Sequence, residues 1–364
     1  MRVKTEHLIP GCILSKDIYK KGETPIAKKK TVLREKHIDM LSRFLIDDVL
    51  VEVKLEDGRL FNPEGIIQEE NLLLRDNDLD VKDVSPFKAT YIHAVEKYKA
   101  MFQQWRGGMK INSYAVRLLV TELCNLKPTK EDLISLYQLS TIKEYDAHHA
   151  IARSIISITI GKELKLKQNE QLQLGMSALL ADAGMARLSI RSTSSEKLKV
   201  YEMKELHEHP LYSYDMLKLV KGVTVEAKLG VLQHHERIDG SGYPHRVTGE
   251  KIHLYGKVIA VADTFHAMCC DRTYIRRKSP YEALEVLNKD CFGLLDPVVM
   301  ATIIQLLNEL KIGEKVRLTN GEEGVIVYLQ ANEPTRPSLR MSKTNELFQL
   351  TSTRSLFIDS IVRE

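Results

Sequence analysis

The sequence predicts a mainly α protein, with a long all-α domain flanked by a small α+β module before it and a small β-rich module after it. Three observations carry that reading. Over residues 87–310 apolar side chains recur at helical spacing almost without a break. Ahead of them lies a turn-rich polar stretch with Asp57-Gly58, Asn62-Pro63 and the run RDNDLDVKD. Beyond residue 310 short apolar runs flank the turn TNGEEG, as in a β-hairpin. The expected division is therefore 1–55, a linker over 56–86, the helical domain 87–310 and a last module 311–364.

In chain order, β-prone runs fall at 12–14, 31–33 and 48–53, with a helix over 35–44 on which Ile38, Leu41 and Leu45 recur. The linker has room for a short helix near 66–74. Helices are then expected near 87–106, 112–125, 129–140, 143–162, 168–182, 200–221, 224–236, 253–270, 280–290 and 297–310. Ser279-Pro280 and Asp296-Pro297 each place a capping side chain before a proline at the first helical position. KVRL and VIVYL form the hairpin arms, and LFQL and SLFIDSIV supply later strands. No repeat period is visible.

Composition narrows the function. The 364 residues are 43% hydrophobic and 28% charged, enough apolar material for two or three domains. Lys and Arg number 53 against 49 Asp and Glu, and a net charge of +4 without a clustered patch argues against a nucleic-acid polymer as partner. The lysines at 28–30 read as a solvated turn. Five scattered cysteines with no CxxC pair, no apolar leader and no run near the roughly 20 residues of a membrane helix point to a cytoplasmic protein with no membrane anchor.

The chemistry concentrates in HHERIDGSGYP, residues 234–244. His234 and His235 close a helix that Asp239, Gly240 and Gly242 break, so both imidazoles can face one cavity. Helix-end histidines can also serve only to cap carbonyls. Other candidate ligands lie elsewhere in the helical domain: His149 in DAHHAIARS, Asp182 in SALLADAG, His209 before Pro210, and Asp263 in VIAVADTFHAM. Asp182 and Asp263 follow apolar turns, where a carboxylate needs a cation, helix amides or an arginine; Asp182 could alternatively cap a helix. His148 and His266 read as ordinary helix residues and His207 as solvent-facing. Two carboxylates with several imidazoles suit Fe, Mn or Zn, one carboxylate bridging two ions, and imply phosphoester hydrolysis by activated water.

These residues resemble the HD-GYP domains, a branch of the HD superfamily of metal-dependent phosphohydrolases. HHERIDGSGYP, IAVADTFHAM and DRTYIRR occur in that family's order, and the likeness covers about 87–310. The resemblance implies an all-α bundle that hydrolyses cyclic di-GMP with two or three divalent ions. It implies a metal shell of His149, Asp182, His209, His234, His235 and Asp263, with Asp182 the catalytic bridging carboxylate. His149, Asp182 and Asp263 would keep one ion, and Asp182, His209, His234 and His235 the other. Arg272 would bind substrate phosphate and Tyr243 belongs to the loop's Gly-Tyr-Pro. The chain departs from the pattern at ADAGM, where the family has HDxxGK: the histidine is Ala181 and the lysine Met185. Tyr145 stands where some members carry a further glutamate ligand, so two ions are expected and not three. Three readings follow: a cyclic di-GMP phosphodiesterase with a variant site, an impaired relative that binds cyclic di-GMP or a partner such as a diguanylate cyclase domain, and a phosphohydrolase of another nucleotide.

Overall fold

In a computed structural model the protein is described over residues 2–15, 17–18, 27–43, 46, 48–52, 54–59, 61, 85–188, 199–271, 276–308 and 310–362. It is mainly α, and it divides into two compact units, Met1–Val84 and Ser85–Glu364. The short helix expected near 66–74 lies outside the described residues.

In the first unit, strand β1 (Arg2–Lys4) pairs antiparallel with β2 (Asp48–Leu50), Val3 opposite Val49. Helix α1 (Glu35–Arg43) lies between them in sequence. Of the three strands expected in this unit, only 48–50 forms a ladder among the described residues; Ile13 and Leu14 make isolated bridges to Val32 and Val51. Val3, Leu14, Leu33, Leu41 and Val51 nonetheless share one buried core, which is what their apolar character required.

The second unit starts with α2 (Pro86–Arg106), α3 (Ser113–Asn125), α4 (Lys130–Ser135), α5 (Tyr145–Glu163) and α6 (Gln168–Leu180). It continues with α7 (Val200–Leu206), α8 (His209–Leu217), α9 (Val225–Gln233), α10 (Leu254–Cys269), α11 (Pro280–Lys289) and α12 (Pro297–Leu307). Helix starts follow the capping chemistry: the side chains of Ser85, Asn112, Thr129, Thr224, Ser279 and Asp296 accept from first-turn amides. The helix expected over 200–221 is two helices. The chain turns at His207 and Glu208, and Pro210, which has no amide to give, sits in the first turn of α8 where none is needed. Helix α5 is buried on nearly all sides, packed against α6, α10 and α2, so any charged group on it must be paired.

A five-stranded antiparallel sheet ends the unit: β3 (Lys315–Leu318), β4 (Glu323–Tyr328), β5 (Ser338–Met341), β6 (Leu347–Gln349) and β7 (Ile358–Ile361), ordered β6-β5-β4-β3-β7. Val316, Leu318, Ile326, Leu339 and Ile358 form its core together with Tyr281 from α11 and Leu310. Arg336 fastens the same junction. It is 1% exposed, donates to the carbonyls of Leu350, Thr353, Arg354 and Leu356, and pairs with Glu285 of α11 at 2.7 Å. Arg336→Leu leaves the Glu285 carboxylate and four carbonyls, that of Thr353 included, without that donor and should cost about 3 kcal/mol or more, read as a lower midpoint in denaturant titration.

No described helix is long and apolar enough to cross a membrane.

Candidate metal centre

Five segments bring the candidate residues together. His149 and Arg153 stand one turn apart on α5; Asp263 and His266 do so on α10. His209 is the first residue of α8, and His234 and His235 follow the last turn of α9. Asp182 follows α6 in a tight turn and makes no capping hydrogen bond, which removes the capping alternative.

That turn is held against α8 by close backbone approach. The Gly184 amide donates to Ser213 Oγ at 2.7 Å, and Ser213 Oγ donates to the Ala181 carbonyl at 2.7 Å. A Cβ at Gly184 would lie 2.3 Å from the His209 carbonyl oxygen and 2.5 Å from the Ser213 nitrogen. Both are backbone atoms that cannot give way alone. Gly184→Ala should therefore push α8 and His209 away from Asp182, lowering stability by roughly 1–3 kcal/mol and weakening metal binding, measured by thermal unfolding and metal titration.

On one side of Asp182, His209 Nε2 lies 3.2 Å and His234 Nε2 3.5 Å from Oδ1, and the two nitrogens are 3.3 Å apart. Each ring donates its Nδ1 proton to a main-chain carbonyl, Leu206 for His209 at 2.7 Å and Val231 for His234 at 2.6 Å. In a neutral imidazole this leaves Nε2 bare. Two nitrogen lone pairs and a carboxylate oxygen thus converge with no proton between them, and His235 completes the group. Metal bonds of about 2.0–2.1 Å in a tetrahedron require ligand separations near 3.3–3.4 Å, the spacing seen here. Burial lowers the pKa of His234, and burial followed by the closeness of His234 lowers that of His235 well below the usual imidazole range, which favours both as neutral ligands.

The other side of Asp182 is built differently. Arg153, wholly buried, donates Nη1 to Asp182 Oδ2 and to Asp263 Oδ1, each at 2.7 Å, and Nε to the Ala178 carbonyl at 3.0 Å. His149 Nε2 is 2.8 Å from the same Asp263 oxygen, and its Nδ1 is 2.9 Å from His266 Nδ1. Burial works to raise the pKa of Asp182, but the Arg153 charge and the adjacent His209 and His234 rings hold it well below the usual carboxylate range. Burial is likewise overcome at Asp263, by His149 and then Arg153. His149, Asp182 and Asp263 are close enough to share an ion by distance alone, but their acceptor oxygens already receive protons.

The loop after α9 closes the site. Buried Glu236 accepts the amides of His245 at 2.7 Å and Val247 at 3.1 Å, one on each oxygen. Gly240 has φ +83°, as a tight turn requires. Gly242 is required for space: a Cβ there would lie 2.4 Å from Arg237 N and 2.5 Å from His235 O. The Tyr243-Pro244 bond is cis. The Tyr243 ring stacks on His207 at 4.1 Å and on His235 at 4.7 Å, so His207 joins the loop instead of facing solvent alone. Tyr243, Met185, Phe102, Tyr145, His235 and both carboxylates line a cavity of about 210 Å³. No lysine or arginine is among the described residues that line it. Arg272 lies outside the described residues.

Sequence reasoning missed Arg153 and took His266 for an ordinary helix residue. Arg153 had one legible signal, a guanidinium on a segment otherwise dominated by Ala150, Ile151, Ile155 and Ile158.

Residues 128–299 match the HD domain family. The chain is similar to the cyclic di-GMP phosphodiesterase PA4108 of Pseudomonas aeruginosa, 29% identical over 246 residues, covering 66% of this chain and 59% of the relative. It is similar to the cyclic di-GMP phosphodiesterase PdeB of Borreliella burgdorferi, 26% identical over 196 residues, covering 53% and 51%. It is also similar to the 3'3'-cGAMP-specific phosphodiesterase 3 of Vibrio cholerae, 29% identical over 168 residues, covering 46% and 36%. The chain therefore spans between 36% and 59% of these relatives' lengths. The matched residues lie within the helical unit.

Proposed function

We propose that this protein is a metal-dependent phosphodiesterase of cyclic dinucleotides, cyclic di-GMP first among them, with a variant metal site. The observation that carries the reading is the convergence of His209 Nε2, His234 Nε2 and Asp182 Oδ1 at 3.2–3.5 Å beside a cavity, a set of donors that a divalent cation would join. The names of the relatives support the substrate class.

Asp182, His209, His234 and His235 would hold a divalent ion, which supplies Lewis acidity to a phosphoryl oxygen and acidifies bound water. The Leu206 and Val231 carbonyls fix the tautomers that aim both Nε2 atoms inward. The cavity, about 210 Å³, is smaller than the roughly 300–1,000 Å³ of pockets that enclose a drug-sized ligand, so it accepts the scissile phosphodiester while the bases lie outside. Tyr243 and Tyr145 form aromatic walls that exclude water from the phosphate, and Arg272 is the residue proposed to bind it.

A second reading, a regulator that binds a cyclic dinucleotide or a partner such as a diguanylate cyclase domain without turnover, draws on the cavity wall. Met185 lines it with a thioether, and no lysine or arginine among its described lining residues can neutralise a leaving oxygen. The experiment is to load purified protein separately with Mn, Fe and Zn and follow cyclic di-GMP and 3'3'-cGAMP by chromatography. Metal-dependent appearance of linear dinucleotide or mononucleotide is expected; stoichiometric binding with no product under any metal sinks the enzyme reading in favour of the regulator.

A further inference from the structure

We infer that Arg153 takes the place of a second metal ion, so that the centre is built for one ion, in the cage of Asp182, His209, His234 and His235. This rests on the metal-dependent reading above and narrows it.

The neighbouring group of His149, Asp182 and Asp263 has the residue types for an ion but not the free lone pairs. Asp263 Oδ1 accepts from Arg153 Nη1 at 2.7 Å and faces His149 Nε2 at 2.8 Å. With His149 donating there, its remaining lone pair is turned towards His266, away from the carboxylates. Asp182 Oδ2 accepts from the same Nη1 at 2.7 Å. The guanidinium thus bridges the two oxygens that an ion in that position would need.

It is also fixed there. Arg153 is wholly buried on a helix packed against α6 and α10, and its Nε is held by the Ala178 carbonyl at 3.0 Å. Its Nη2 has no partner among the described residues, so nothing found there draws the group elsewhere. Ala181, buried beside Asp182, contributes a methyl group and no ligand. Charge points the same way. With neutral imidazoles, two carboxylates and one guanidinium leave a formal charge of −1, which one divalent ion takes to +1 and a bound anion balances. A second ion would take it to +3 in a buried space where like charges repel strongly.

The test uses the full chain, stripped with chelator, reloaded with Mn(II) and freed of excess ion. Metal is counted by mass spectrometry and its environment read by electron paramagnetic resonance. One equivalent per chain with the hyperfine pattern of isolated Mn(II) is expected. Two equivalents with an exchange-coupled spectrum overturn the inference and leave the metal-dependent reading standing. No bound Mn, and none of Fe or Zn in parallel loadings, overturns both. Arg153→Lys keeps the positive charge and should stay at one equivalent, whereas Arg153→Leu combined with Ala181→His should gain the second and its coupling. A folded double variant that still takes one ion overturns the assignment to Arg153. If that variant does not fold, the count and spectrum of the unaltered protein decide.

Discussion

Asp182→Asn abolishes metal binding at ordinary free-ion concentrations and, with it, cyclic dinucleotide turnover. The substitution preserves size but removes the charge that lies 3.2 Å from His209 Nε2 and 3.5 Å from His234 Nε2. Changing a residue that merely orients a ligand already costs about 10–100-fold in metal affinity, and Asp182 faces the ion itself, so a loss of more than about 100-fold is expected. Isothermal titration with Mn(II) or Zn(II) measures it. Stability of the metal-free protein should fall much less, because Arg153 keeps Asp263 as a partner at 2.7 Å. Metal affinity within a few-fold of the unaltered protein would place the centre elsewhere.

Arg153→Leu has the largest expected effect on stability. It removes the one described cation between two carboxylates that are mostly enclosed, Asp263 at 13% side-chain exposure and Asp182 at 25%. Breaking such a pair by deleting one partner costs about 3–5 kcal/mol. For a unit of this size that is a fall in melting temperature of roughly 10 °C or more in chelator. Adding Asp263→Asn to Arg153→Leu should restore part of the loss, since the second change removes one of the stranded charges; simple additivity of the two losses would show that the pair is not coupled.

Much of the helical frame was legible because its signals are local. Ser279-Pro280 and Asp296-Pro297 start α11 and α12 where side-chain caps and prolines must. The break between α7 and α8 was harder, because apolar spacing continues past His207 and only Pro210 marks the restart. Strands were least legible: β1 has a single valine in three residues and forms because Val49 lies opposite it, a fact of pairing across the unit. At the site, residue type singled out His149, Asp182, His209, His234, His235 and Asp263, and the structure gathers them in two groups that share Asp182, all but His234 lining one cavity. Type could not reveal Arg153 as their partner. Its two carboxylates lie 29 and 110 residues away, and an arginine in a buried helix looks the same on paper whether it pairs with an acid or only with carbonyls.

The turn that carries Asp182 is a joint and not a rod. Its backbone is held by the Gly184 and Ser213 link, while its side chain reaches to α5 on one oxygen and to the ends of α8 and α9 on the other. Withdrawing the ion frees the second oxygen and leaves the first tethered, so relaxation should be confined to one side. Amide exchange of 183–187 and the first turn of α8 should quicken in chelator while α5 stays protected, a local opening that mass-spectrometric exchange resolves. The centre would then report its own occupancy to the surface segment around α7 and α8, where a partner could sense whether the protein is loaded.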